Sequence, residues 1–213
     1  FLVGLLTCCK SEDAPIKPVK PTDPGSINKE YMSRAETTFA NIFKYYWSDK
    51  VRMMFGSYPN TLGTPQEPSS PDYDSHAYLW GLGSVVSAFN AIVQNTDNVD
   101  FRMTYESRLK ETLLKYYNTT KEPMCFGCFV NPHDQRLYDD AIWVGIDLAD
   151  LYSKTKDSWY LDYAKSVWNF VLSGKDDELG GGVYWDENAK DSKNTCSNAP
   201  AVVLALKLYQ ITN

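Results

Sequence analysis

The sequence has little positive charge to spare. Its 21 Lys and Arg stand against 27 Asp and Glu, a formal net charge of −6 over 213 residues. With no basic stripe to neutralise phosphates, nucleic acid is excluded as a partner. Histidine is scarce: His76 and His133 are the two, and neither has metal-like spacing to other ligands, so both read as structural. No phosphate-cradling loop, dinucleotide fingerprint or Ser-His-Asp arrangement occurs, and no cofactor is expected. Cys125-Phe126-Gly127-Cys128 has CxxC spacing, but no second CxxC follows, which argues against zinc. The strand-to-helix setting of a thioredoxin-type site is also missing. Cys125, Cys128 and Cys196 therefore read as a structural disulfide or as buried thiols. No run with period-two alternation argues for a sheet.

What is present begins with an apolar stretch, Phe1 to Leu6, ending in Thr7-Cys8-Cys9-Lys10. It is too short to span a bilayer and reads as the end of a signal peptide. A Leu-rich run closing on Cys resembles a bacterial lipobox, with Cys8 or Cys9 as the lipidated residue. An ordinary cleaved signal peptide is the alternative. A chain that starts with Phe is expected to lack its true start. The polar stretch that follows holds Pro15, Pro18, Pro21 and Pro24 and reads as a tether. The expected organisation is thus 1–9 as the end of a lipoprotein signal peptide, 10–25 as a flexible tether and 26–213 as the folded domain. Lipidation would place the protein outside the cytoplasm, held at the bacterial outer membrane or cell surface by its lipid anchor only.

Apolar residues make up 43% of the chain, enough for a sizeable core. Helical spacing predicts six helices, over 27–48, 75–94, 101–117, 137–152, 158–172 and 198–210, with Pro200 in the first turn of the last. A long Pro-, Gly- and Ser-rich loop is expected near 58–73. The second, fourth and sixth helices are apolar almost all round, while the first, third and fifth carry more Lys, Arg and Glu. An inner helix is covered on both faces and an outer one needs a wet face. The fold class is therefore all-α, helical hairpins of an α/α toroid, with an ordinary helical bundle or solenoid as the alternative. Three hairpins make about half of a six-hairpin ring, so the toroid would be incomplete.

The chemistry-bearing pattern is Asp139-Asp140, two adjacent carboxylates where the fourth helix begins. A helix start holds one anion easily. Two close anions push one pKa upward, so that one stays a proton donor while the other stays ionised. Acid/nucleophile chemistry on a glycosidic bond needs that split. Helix-start capping would also place acidic residues there. Asp140, Trp143, Asp147 and Asp150 share a side of the ideal helix, as a wet cleft or a solvated face would require. Six Trp, fifteen Tyr and nine Phe offer faces for sugar rings or fill for a core. The candidates for stacking are Tyr138, Trp143, Tyr184, Trp185 and Trp80, of which Trp80 and Trp143 equally suit the core. Asn194 and Asn198 are candidates for sugar hydroxyls, with Asn198 alternatively a helix cap.

Tyr138-Asp139-Asp140-Ala141-Ile142-Trp143-Val144 resembles the catalytic motif of glycoside hydrolase family 76, the bacterial endo-α-1,6-mannanases. Asp147 to Tyr152 with Tyr160 to Ala164 is similar to that family's next hairpin. Gly180 to Trp185 and Lys193 to Pro200 look like its Gly-Gly-aromatic loop and KNT-x-SN segment, and Ala77 to Gly81 matches in character. The likeness runs from about residue 30 onward. It implies an (α/α)6 barrel and a retaining hydrolase acting on α-mannan. Asp139 would be its nucleophile and Asp140 its acid/base. Two features depart from the family: Ala141 stands where Asn often follows the aspartates, and the family's domain is substantially longer. The sequence is thus expected to be a truncated member that itself turns over little or no substrate. A glycan-binding lipoprotein without turnover, or a hydrolase of another polysaccharide on the same toroid, are the competing functions.

Overall fold

A computed structural model describes residues 24–59, 76–130 and 135–212. Cys8, Cys9, His133, residues 10–23 of the expected tether and most of the loop near 58–73 lie outside these residues. Six helices follow in order: α1 (Pro24–Tyr46), α2 (Leu79–Asn95), α3 (Val99–Tyr116), α4 (Tyr138–Thr155), α5 (Ser158–Ser173) and α6 (Thr195–Thr212). Two antiparallel ribbons decorate them, β1 (Trp47–Ser48) with β2 (Met53–Met54) and β3 (Tyr117–Asn118) with β4 (Cys125–Phe126). The all-α expectation holds. Helix α1 starts at Pro24, inside the expected tether, because a helix's first turn does not need the N–H that proline lacks.

Local chemistry fixes several ends. The Asn98 side chain accepts from the Phe101 N–H at 3.0 Å and starts α3. Asp157 does the same for α5 through Trp159 N, and its other oxygen takes Lys110 at 2.6 Å. Helix α4 stops at Lys156, whose φ of 61° is left-handed.

The helices are ordered by their apolar faces. Helices α1, α2 and α3 meet in an aromatic cluster, with Phe39 5.4 Å from Phe43 and from Phe101, and Tyr105 4.6 Å from Phe43. Helix α4 is the centre of the fold. It packs against α2, α5 and α6, and 12 of its 18 residues are buried. Gly145 permits the close approach: a Cβ there would lie 2.9 Å from Val167 on α5 and 3.2 Å from Leu204 on α6. Helices α2, α4 and α6 thus form one row and α5 backs it, the hairpin arrangement of a partial α/α toroid.

Helix α6 departs from expectation in two ways. Ser197, Pro200, Ala201, Leu204 and Leu208 are buried, but Val202, Val203, Leu206 and Tyr209 are exposed, so α6 is covered on one side only among the described residues. It also begins at Thr195, which puts Pro200 in the second turn rather than the first. There the missing N–H would have served the carbonyl of Cys196 four residues back. No helix among the described residues is long and apolar enough to cross a membrane.

Candidate active site

The head of α4 is built by a loop that arrives about 45 residues later in the chain. Leu137 is extended and bridges Asp186, the Tyr138 N–H donates to the Trp185 carbonyl at 3.0 Å, and the Glu187 N–H donates to the Arg136 carbonyl at 3.2 Å. Arg136 is fully buried. Its Nε reaches Glu187 Oε2 at 2.8 Å, its Nη1 donates to the Pro123 carbonyl at 2.7 Å, and its guanidinium lies 4.7 Å over the Phe170 ring.

On this frame Asp139 and Asp140 occupy the second and third positions of α4, each only 7% exposed. The capping reading fails here. Leu137 is the cap residue, and no side chain caps the helix. Asp139 Oδ1 is buried and finds no hydrogen-bond partner among the described residues. The Asp140 carboxyl is pushed up to about 6, chiefly by burial and then by the charge of Asp139. Two thiols stand near the pair: burial, then the charge of Asp140, raises the Cys128 thiol, and burial, then the charge of Asp139, raises the Cys196 thiol. Sequence reasoning missed both neighbours, and no spacing links Cys128 or Cys196 to the aspartates. Cys125, Cys128 and Cys196 are free, so the disulfide alternative gives way to buried thiols at Cys125 and Cys128, with Cys196 exposed.

The aromatic candidates divide by burial. Tyr138 is 2% exposed and stacks on Phe170 at 4.3 Å, and Tyr184 is 2% exposed with Lys193 Nζ 4.5 Å over its ring. Neither face is open to a sugar, so both are corrected to core residues. Trp143 lies one turn beyond the aspartates and is exposed, as is Trp185, whose carbonyl holds the start of α4. Trp80, which suited the core equally by sequence, is exposed at the start of α2.

The Asn198 side chain serves the backbone. Asn198 Oδ1 accepts from the Val183 N–H at 2.8 Å, and its Nδ2 donates to the carbonyls of Val183 and Asn194, both at 2.9 Å. Its amide is therefore engaged on both sides, neither capping α6 nor free for a hydroxyl, and it is corrected to a staple of the glycine loop. The Asn194 carbonyl accepts from the Ser197 and Asn198 N–H groups, both at 3.1 Å, and so starts α6. Gly180, Gly181 and Gly182 all have φ near +90°, which favours glycine. A Cβ on Gly182 would meet Asn198 Oδ1 at 2.4 Å. Lys193 closes the same loop on Asp176 at 2.6 Å.

Further along α4, Asp147 and Asp150 do not form a solvated face. Asp147 is 7% exposed and accepts from Ser87 Oγ and from Asn90 Nδ2, the latter at 2.8 Å. Asp150 pairs with Lys207. These bonds tie α2, α4 and α6 together beneath the aspartates. His76 lies 6.1 Å from Phe55 in a stacked pair, and burial lowers its pKa, with Lys115 adding to the effect.

Comparison with known proteins places this geometry. The family model described as Glycosyl hydrolase family 76 matches residues 30–213. A family 76 glycoside hydrolase from a bovine Bacteroides thetaiotaomicron strain is 30% identical with a TM-score of 0.70, over 85% of this chain and 38% of that one. The family 76 mannosidase Bt3792 of B. thetaiotaomicron VPI-5482 is 25% identical with a TM-score of 0.71, over 86% and 49%. An α-1,6-mannanase of Salegentibacter sp. HEL1_6 is 22% identical with a TM-score of 0.61, over 85% and 46%. It is an inactive variant with two consecutive aspartates changed to alanine, in complex with α-1,6-mannotetrose. The chain spans less than half the length of each of these structures. No curated protein matches it.

Proposed function

The chain belongs to glycosyl hydrolase family 76, and from that membership we propose that the intact protein hydrolyses mannan, cleaving α-1,6-mannosidic bonds through Asp139 and Asp140. The observation that carries this reading is the adjacent carboxylate pair at the head of α4, buried, with Asp140 held near 6. A carboxyl of that affinity is still partly protonated near neutrality and can give its proton to a leaving oxygen. Asp139 attacks the anomeric carbon as the glycosidic bond breaks, and Asp140 protonates the departing sugar. Asp140, now ionised, takes a proton from water, which displaces Asp139 from the sugar. Two displacements retain the anomeric configuration. Trp143, Trp185 and Trp80 supply exposed ring faces for the flanking sugars. The paired aspartate replacement in the inactive Salegentibacter α-1,6-mannanase, bound to a mannotetrose, supports the same assignment.

Reducing-sugar release from linear α-1,6-mannan by the full-length protein tests this. Asp139→Asn and Asp140→Asn should each abolish turnover while the fold persists, because an amide keeps the shape but neither attacks nor shuttles protons. Near wild-type activity in either variant would remove that aspartate from its role. A wild type that binds mannan without cleaving it would favour the glycan-binding reading, and cleavage of another glycan would overturn the substrate assignment.

We also propose lipidation at Cys8 or Cys9, holding the protein at the bacterial surface, because the apolar run ends in cysteine and a Pro-rich polar stretch follows. Acyl labelling in the host tests it, and label that survives replacement of both cysteines would rule it out.

A further inference from the structure

We propose that Arg136 and Glu187 are positioning residues for substrate binding, their side-chain pair holding Trp185 beside Asp139 and Asp140 so that its ring receives a sugar of the mannan chain. This rests on the reading of Trp185 as a sugar-stacking face. The late loop meets the approach to α4 in three successive antiparallel rungs. The Glu187 N–H donates to the Arg136 carbonyl at 3.2 Å, Leu137 bridges Asp186, and the Tyr138 N–H donates to the Trp185 carbonyl at 3.0 Å. Asp139 is the next residue along. Partners across such a rung have Cα atoms about 5 Å apart, and successive Cα atoms lie about 3.8 Å apart, so the Cα atoms of Trp185 and Asp139 stand within about 10 Å of each other. Trp185 is exposed there, while Tyr138 opposite it is buried.

The side-chain pair fixes this register. Residues directly opposite across an antiparallel ladder share a face, and Arg136 and Glu187 are such a pair. Their contact is two-pronged, Nε to Oε2 at 2.8 Å and Nη2 to Oε1. A slip of one residue would turn the loop's side chains to the other face. It would part the fully buried guanidinium from its carboxylate and carry Trp185 away from Tyr138. The guanidinium is itself anchored. Its Nη1 donates to the Pro123 carbonyl at 2.7 Å and the Lys121 carbonyl at 3.2 Å, and Lys121 Nζ returns to Glu187 at 3.0 Å. Beyond the rungs, the Trp185 backbone is held by its N–H donating to the Ser192 carbonyl at 3.2 Å. Helix α4, by contrast, is packed against α2, α5 and α6. Loss of the pair is therefore felt more at Trp185 than at the aspartates.

The test uses the full-length protein labelled with 5-fluorotryptophan, with Trp185→Phe identifying the Trp185 fluorine NMR signal and Trp47 on β1 as the reference. Without any glycan, Glu187→Gln should shift and broaden the Trp185 signal and leave that of Trp47 unmoved. Arg136→Lys removes the fork but keeps a buried cation paired with Glu187, so it reads the same point if Glu187→Gln does not fold. An unmoved Trp185 signal in either folded variant would overturn the proposal. On linear α-1,6-mannan, Glu187→Gln should raise KM roughly three- to tenfold, the worth of one aromatic face, and lower kcat by less. Trp185→Ala should raise KM similarly, and Glu187→Gln should add nothing further in the double variant. Additive effects on KM, or a fall in kcat with KM unchanged, would overturn the proposal, because the pair would then act by stability or through the aspartates. A Trp185 signal that moves as expected in a protein that neither binds nor cleaves mannan upholds the pair's hold on Trp185 and overturns only the mannan reading.

Discussion

Arg136 and Glu187 meet side chain to side chain across the base of the candidate site, with the guanidinium fully buried and the carboxylate nearly so. The two residues also share a backbone bond, Glu187 N–H to Arg136 carbonyl. With the Leu137–Asp186 bridge and the Tyr138–Trp185 bond, the pair joins the late loop to the head of α4, so its strength bears on where Asp139 and Asp140 stand.

Removing one partner of a buried ion pair leaves the other charge uncompensated. Glu187→Ala should therefore destabilise the fold by about 3–5 kcal/mol, read as a lowered urea midpoint. Burial pushes the Glu187 carboxyl up, but hydrogen bonds from Arg136 and Lys121 outweigh it and hold it below its ordinary value. A depressed carboxyl contributes stability that is present above its unfolded pKa and lost as pH falls through the folded one. The unsubstituted protein should lose this contribution in acid, and Glu187→Ala should lack that part of the pH dependence.

Asp140 carries the opposite sign. Its folded pKa is raised to about 6, so ionising it costs stability, a cost fully present above that pH and gone below the ordinary aspartate value. Asp140→Asn should therefore be the more stable protein at pH 7.5, by up to about 3 kcal/mol, and equal to wild type near pH 3. Parallel denaturant titrations at the two pH values check this. An equal gain at both would show that the cost is not electrostatic.

Gly182 has φ +90° and no room for a Cβ against Asn198. Gly182→Ala should cost about 1–3 kcal/mol and displace the loop. Asn198→Ala should leave both backbone groups of Val183 without their present partner, at a similar cost of about 1–3 kcal/mol. Faster hydrogen exchange at the Val183 amide in Asn198→Ala is the direct measurement.

Thiol chemistry should follow exposure. Cys196 is exposed, whereas Cys125 and Cys128 are buried, and burial pushes the Cys125 thiol up to about 12. A maleimide should label Cys196 in the native protein and reach Cys125 and Cys128 only after unfolding. Mass mapping of the labelled peptides checks it.

The helices were legible because each signals itself locally. The apolar spacing of Phe39 and Phe43 and the nearly continuous apolarity of α4 lie within single segments. The aspartate pair was equally visible. What could not be read was the company those segments keep. Tyr138 and Tyr184 look like stacking platforms by type, yet Phe170 and Lys193 cover them from elsewhere in the chain. Trp80 fits a core by type, yet lies exposed. Asn198 has the donors and acceptors for a sugar, but Val183 already uses them. The thiols beside the aspartates arrive from positions 128 and 196, and no periodicity relates those numbers to 139 or 140.

The bond from Tyr138 to Trp185 and the clasp of Asn198 on Val183 also set an order of events during synthesis. A nascent chain that has emerged through residue 155 has both aspartates and all of α4, but nothing to close over its first turn. Until about thirty more residues follow, Arg136 lacks the Glu187 carboxylate and the Tyr138 amide lacks the Trp185 carbonyl, and the Val183 loop is fastened only when Asn198 arrives. The head of α4 thus acquires the partners that close it well after it is itself made.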